Sequence, residues 1–114
     1  MSDYEVSREF YVDKLGFEIL RENYRPEQDD WKLDLRCGEI ELEIFGKKDA
    51  PARPSYPEAC GLRHLAFRVD DIGKCVAELN AVGIATEQVR TDAFTGKRMT
   101  FFHDPDGLPL ELHE

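Results

Sequence analysis

A chain of 114 residues is one compact domain's worth, long enough to bury a core without disulfides or a structural metal. Its 15 basic and 24 acidic residues leave a formal charge of -9, which repels phosphate backbones and anionic lipid and argues against nucleic acid or a membrane surface as partner. No apolar run approaches the roughly 20 residues that span a bilayer. No basic start precedes an apolar stretch, and Cys37, Cys60 and Cys75 are odd in number without C-x-x-C spacing, which predicts an unexported protein in a reducing cytoplasm.

Ser2 followed by Glu5 has the form of a capping box, and Val6, Phe10 and Leu15 then give an apolar stripe that stops at Gly16, which predicts a first helix. Strand-like runs follow at 17–24, 31–36 and 39–45, with Cys37-Gly38 turning the chain between the last two. Residues 47–60 contain Pro51, Pro54 and Pro57, which cannot donate to a ladder, and read as a linker. In 62–69, Leu65, Phe67 and Val69 alternate with His64, Ala66 and Arg68, the period of a strand. Asp70 or Asp71 can cap a second helix whose Ile72, Cys75, Val76, Leu79 and Val82 share one face, with Gly83 at its exit. Strands at 84–90, 98–103 and 108–113 complete the chain, the last two joined by Asp104-Pro105-Asp106-Gly107, a hairpin turn.

The order helix, strand, strand, strand thus occurs twice, in a first module at 1–46 and a second at 61–114. The second has an extra strand before its helix and the first does not. Side chains alternate across a pleated strand, so Leu110 and Leu112 face the helices while Glu111 and His113 face away. The same parity sets Glu39, Glu41 and Glu43 against Ile40, Leu42 and Ile44, and sets His64 on the face of the small Ala66. Three strands therefore each aim a candidate ligand, Glu43, His64 or Glu111, away from the helical layer, and the small Ala66 leaves room beside one of them. Carboxylate and imidazole suit divalent Zn, Ni, Mn or Fe, so the pattern predicts a metal-dependent small-molecule site. The plainer reading leaves each acid solvated on the open face of a half-buried sheet. His103 and His113 are expected at a rim or in packing. Lys97 and Arg98 are solvated cations able to hold an anion, and Tyr24, Trp31 and Phe94 are core or pocket aromatics.

Gly61-Leu62-Arg63-His64-Leu65-Ala66-Phe67-Arg68-Val69-Asp70-Asp71-Ile72 and Phe102-His103-Asp104-Pro105-Asp106-Gly107-Leu108-Pro109-Leu110-Glu111-Leu112 resemble the second module of the vicinal oxygen chelate superfamily. Phe10-Tyr11 and Leu15-Gly16-Phe17 resemble the helix end of its first module, so the likeness covers essentially the whole chain. It is nearest to small bacterial glyoxalase I-like proteins and extends to bleomycin resistance and dioxygenase members. The resemblance implies an α+β fold of paired βαβββ modules, a curved mixed sheet around a cavity within a single domain, here without the first strand of module one. It implies a divalent metal held by Glu43, His64 and Glu111, with Glu43 or Glu111 also moving a proton. The fourth ligand would be a histidine on the absent strand. An upstream continuation of the chain, a strand from a neighbouring chain, or loss of normal metal binding would each account for it. The first is favoured, because a missing central strand leaves apolar surface and unpaired backbone groups.

The implied activity is a glyoxalase I-type (lactoylglutathione lyase-like) lyase or isomerase working through a metal-stabilised enediolate, in a homodimer. A metal-free small-molecule or drug-binding module is the alternative. An extradiol-type dioxygenase is a second, though two histidines and one carboxylate would suit Fe²⁺ better than one histidine and two carboxylates.

Overall fold

A computed structural model describes residues 1–114 as two compact units, Met1–Ala52 and Arg53–Glu114. In the first unit a short helix, α1 (Tyr4–Arg8), continues through a wider π turn at Glu9–Lys14. Asp3 caps it, its carboxylate accepting the Val6 N–H at 3.1 Å, so the expected box on Ser2 and Glu5 is displaced by one residue. The wide turn is visible in the Leu15 N–H donating to the Phe10 carbonyl at 3.0 Å, five residues back. The buried stripe is Ser7, Phe10 and Tyr11, one face at ordinary helical spacing, and Val6 is left 48% exposed. Of the stripe read from Val6, Phe10 and Leu15, Phe10 is buried as expected, Leu15 is half-buried and Val6 is exposed.

Three antiparallel strands follow: β1 (Glu18–Arg25), β2 (Asp30–Cys37) and β3 (Ile40–Gly46), in that spatial order. Gly38, at φ +61, supplies the left-handed residue of the β2–β3 turn. Register sets Leu33 opposite Ile44 and Leu35 opposite Leu42, which defines the apolar face. Central placement buries both leucines of β2 completely, whereas Ile40, at the end of β3, stays 54% exposed. On the other face Arg21, Asp34 and Glu43 form one cross-strand row. β3 is an edge strand of this sheet, and Met1 bonds to its end. The Met1 amino group donates to the Phe45 carbonyl at 2.7 Å and the Met1 carbonyl accepts the Lys47 N–H at 3.0 Å.

In the second unit β4 (Leu65–Arg68) precedes α2 (Ile72–Ala81), followed by β5 (Arg90–Thr91), β6 (Arg98–His103) and β7 (Pro109–His113). The sheet order is β4-β7-β6-β5, with β4 parallel to β7 and the remaining pairs antiparallel. Asp71, not Asp70, caps α2 by accepting the Lys74 N–H at 3.1 Å. Ile72 is fully buried and Leu79 nearly so, while Val82 at the exposed end of the helix is not. The strand expected over 84–90 is reduced to β5. Before it, only isolated bonds tie the run to β6, such as the Glu87 N–H to the Phe101 carbonyl at 2.8 Å. The β6–β7 turn forms as the sequence predicts, with the Asp104 carboxylate accepting the Asp106 and Leu108 N–H groups at 2.9 and 2.8 Å. The whole is an α+β fold of two open sheets and two helices.

Candidate metal and substrate site

Glu111 lies in the middle of β7, a strand paired on both sides, and is only 9% exposed. Its register neighbours are Phe101 on β6 and Ala66 on β4. Alanine leaves the space beside the carboxylate unfilled, and the residue two places before it, His64, reaches in. His64 Nε2 stands 3.0 Å from Glu111 Oε2, and the imidazole edge rests on the Phe101 ring at 5.4 Å between centroids. Their side chains are 39% and 12% exposed, so the pair is open on the histidine side and closed around the acid. His64 borders a hollow of about 320 Å³ whose charged lining is Arg53, Arg63, Arg90, Glu58 and Glu87, with Phe101 and His103 beside them.

Two donors bound to one ion at roughly 2.0–2.2 Å stand about 3 Å apart at an octahedral angle and about 3.4 Å apart at a tetrahedral one. The His64–Glu111 contact at 3.0 Å has the length of a hydrogen bond and also the octahedral donor spacing, and imidazole with carboxylate is a donor set for a borderline divalent ion. The pair therefore fits as part of a metal centre, though neither unit gathers three or more His, Cys, Asp or Glu donors into one group.

Glu43 belongs to the first unit and is engaged there. Its Oε1 lies 2.5 Å from Lys32 Nζ, and its side chain is 54% exposed. Lys32 also pairs with Asp34, at 3.2 Å, and Glu43 with Asp34 as neighbours holds the ammonium group's pKa above its usual value. Asp34 is 1% exposed and meets Arg21 at 2.6 Å, which keeps its carboxyl below the usual range. Sequence parity placed Glu43 on the intended face but missed this network. The signal was present in Lys32, Asp34 and Arg36 alternating with Leu33 and Leu35.

The secondary candidates separate clearly. His103 lines the hollow. His113 does not. Its Nδ1 contacts the Glu114 carbonyl at 2.9 Å and its Nε2 meets Thr95 Oγ1 and Asp92 Oδ2 at 3.3 and 3.4 Å. The Phe94 N–H and then the Thr95 hydroxyl hold the Asp92 carboxyl low. Arg98 is committed to Glu114 through contacts of 3.0 and 2.5 Å. Tyr24 and Trp31 line a different hollow of about 380 Å³ in the first unit, which Glu43 does not border. Phe94 is 98% exposed and belongs to no core.

Residues 1–112 match the family model described as the Glyoxalase/Bleomycin resistance protein/Dioxygenase superfamily. The chain belongs to that superfamily. It is 56% identical to the protein YwkD of Bacillus subtilis (strain 168) over 114 residues, covering 99% of this chain and 89% of the relative. The crystal structure of a glyoxalase family protein from Enterococcus faecalis superposes with a TM-score of 0.95 at 65% identity, covering 98% of this chain and 89% of that one. More distant structures include TnmS3, an antibiotic binding protein from Streptomyces sp. CB03234, with a TM-score of 0.73 at 26% identity over 99% of this chain and 87% of that one. The trypanothione-dependent glyoxalase I of Leishmania major is similar at a TM-score of 0.72 and 25% identity, covering 100% of this chain and 80% of that one. None of the 114 residues lies in a helix long and apolar enough to cross a membrane.

Proposed function

We propose that this superfamily member is a divalent-metal-dependent lyase or isomerase of glyoxalase I type, acting on a small molecule with adjacent oxygens. The observation that carries the reading is the His64–Glu111 contact at 3.0 Å, an open imidazole against a buried carboxylate at the edge of a hollow. His64 and Glu111 would hold the ion, with Glu43 as the third ligand if it exchanges Lys32 for metal. When bound, a divalent Zn, Ni, Mn or Fe ion supplies Lewis acidity toward the substrate's oxygens. Glu111 is the favoured proton carrier. Its carboxylate is fixed by β7 and walled by Phe101, and can take a proton from a carbon beside a carbonyl and return it to the neighbouring carbon. The Phe101 ring backs the His64 imidazole beside that carboxylate. The thiol adduct of a 2-oxoaldehyde is the specific substrate to try. The two modules are read as one functional domain in a homodimer, and three unpaired cysteines suit a reducing cytoplasm.

A metal-free small-molecule binder is the second reading. It is favoured by the lack of a three-donor group within either unit and by the likeness to an antibiotic binding protein. Metal analysis separates the two. The enzyme reading expects about one ion per chain, uptake lost in Glu111→Gln, and turnover of the thiol adduct. No stoichiometric ion, with a melting temperature unmoved by Zn²⁺, Ni²⁺, Mn²⁺ or Fe²⁺, would sink it in favour of the binder.

A further inference from the structure

Phe101 sets two different chemistries on one platform. Its ring takes the edge of His64 at 5.4 Å and lies under the Arg90 guanidinium, whose central carbon is 5.8 Å from the ring centroid. A cation thus shares the Phe101 ring with the imidazole of the pair. Arg63 adjoins His64 in the chain and borders the same hollow. Arg53 straps this segment down. Its Nη1 and Nη2 donate to the carbonyls of Leu62 and Arg63 at 3.2 and 2.6 Å, fixing the backbone from which Arg63 and His64 project.

The acids that offset these cations hold them loosely. Glu58 reaches Arg63 at 3.4 Å and Glu87 reaches Arg90 at 3.3 Å, with the arginine side chains 63% and 56% exposed. A guanidinium carries five N–H donors, so each fork keeps most of its capacity for another partner. All three cations are arginine and none is lysine. The planar fork matches a carboxylate's two oxygens where an ammonium group would act as a point charge. A chain with a formal charge of -9 repels anions in general, whereas this hollow sets three arginines against two acids, Glu58 and Glu87, and its surplus of positive charge marks the place where an anion is admitted.

The geometry points to a substrate that bears a carboxylate next to its reacting oxygens, anchored by the Arg90 fork with Arg63 as the second cation. The reacting end of this assignment rests on the function proposed above; the anion site itself does not. Arg90 and Arg63 are specificity residues in this scheme, and Phe101 keeps Arg90 within reach of His64.

The test is a titration of metal-stripped protein in chelator, following the ring resonances of His64 and Phe101 by NMR. Malonate should give saturable shifts and its neutral diamide none. Arg90→Gln should weaken malonate about tenfold, the worth of one charge-assisted contact. Arg90→Lys should fall between the two, because it keeps the charge and loses the fork, and Arg63→Gln should lose less than Arg90→Gln. An unchanged backbone spectrum identifies the variants as folded. Inorganic phosphate binding more tightly than malonate would overturn the carboxylate assignment. So would malonate shifts that never saturate, or equal affinity in wild type, Arg90→Gln and Arg63→Gln. Because no ion is present, a protein that binds malonate but takes up no metal defeats only the lyase reading. One that takes up metal and ignores malonate defeats only this proposal.

Discussion

Glu43 and Glu111 hold corresponding places on the last strand of their units, each following a leucine of the apolar face, yet their surroundings are opposite. β7 has β4 on one side and β6 on the other, so Glu111 is shut in and its contact is the aromatic-backed His64. β3 is the edge strand of its sheet, paired with β2 alone, and Glu43 stands out toward solvent with Lys32 as its contact. Strand parity is the same in both. The number of neighbouring strands is what turns one carboxylate into a buried acid and leaves the other as half of an exposed ion pair, of the kind worth little by itself.

The comparison is broken most strongly in the core. Leu110→Ala removes a fully buried side chain from β7 and should cost about 2–5 kcal/mol, whereas Leu42→Ala, the equivalent change on the half-buried β3, should cost about 1 kcal/mol. Urea midpoints at constant m-value check both. Equal losses would show that β3 is as enclosed as β7.

The glutamates themselves sharpen it next. In ion titrations, Glu111→Gln should abolish measurable uptake, a loss beyond the roughly hundredfold that an outer-shell change costs, since it removes a ligand oxygen. Glu43→Gln should lower affinity by about tenfold, because binding there first requires release of Lys32. The reverse ranking would move the centre of the site to the first unit.

The smallest effect is acid sensitivity at the end of β7. Arg98, and then the Ile72 N–H, bring the Glu114 carboxyl down to about 2 from its ordinary 4.5. A folded-state value below the unfolded one gives stability that is complete above about pH 4.5 and lost as pH falls toward 2. Glu114→Gln should therefore flatten the acid limb of the urea midpoint against pH and leave the neutral plateau slightly lower. An unaltered acid limb would show that the tie between β6, β7 and the start of α2 does not hold Glu114 in its charged form.

Local chemistry decided much of this protein. The alternation of leucine with acid in 110–112, the one-face spacing from Ile72 to Leu79, and the Asp104-Pro105-Asp106-Gly107 turn each act over a few residues, so they are legible in the string and appear in the fold. The pairing of His64 with Glu111 was legible only as parity and through resemblance. What the string did not yield is the partner of each charge. Lys32 beside Glu43, Arg21 beside Asp34 and Arg90 above Phe101 depend on the register between strands and runs distant in sequence. The π turn after α1 was equally hidden, since an inserted residue shifts the phase of a helix without any marker in composition. Side-chain direction is set by the residue's own backbone, but the group it meets is set by which segment packs alongside, and only the tertiary structure makes that choice.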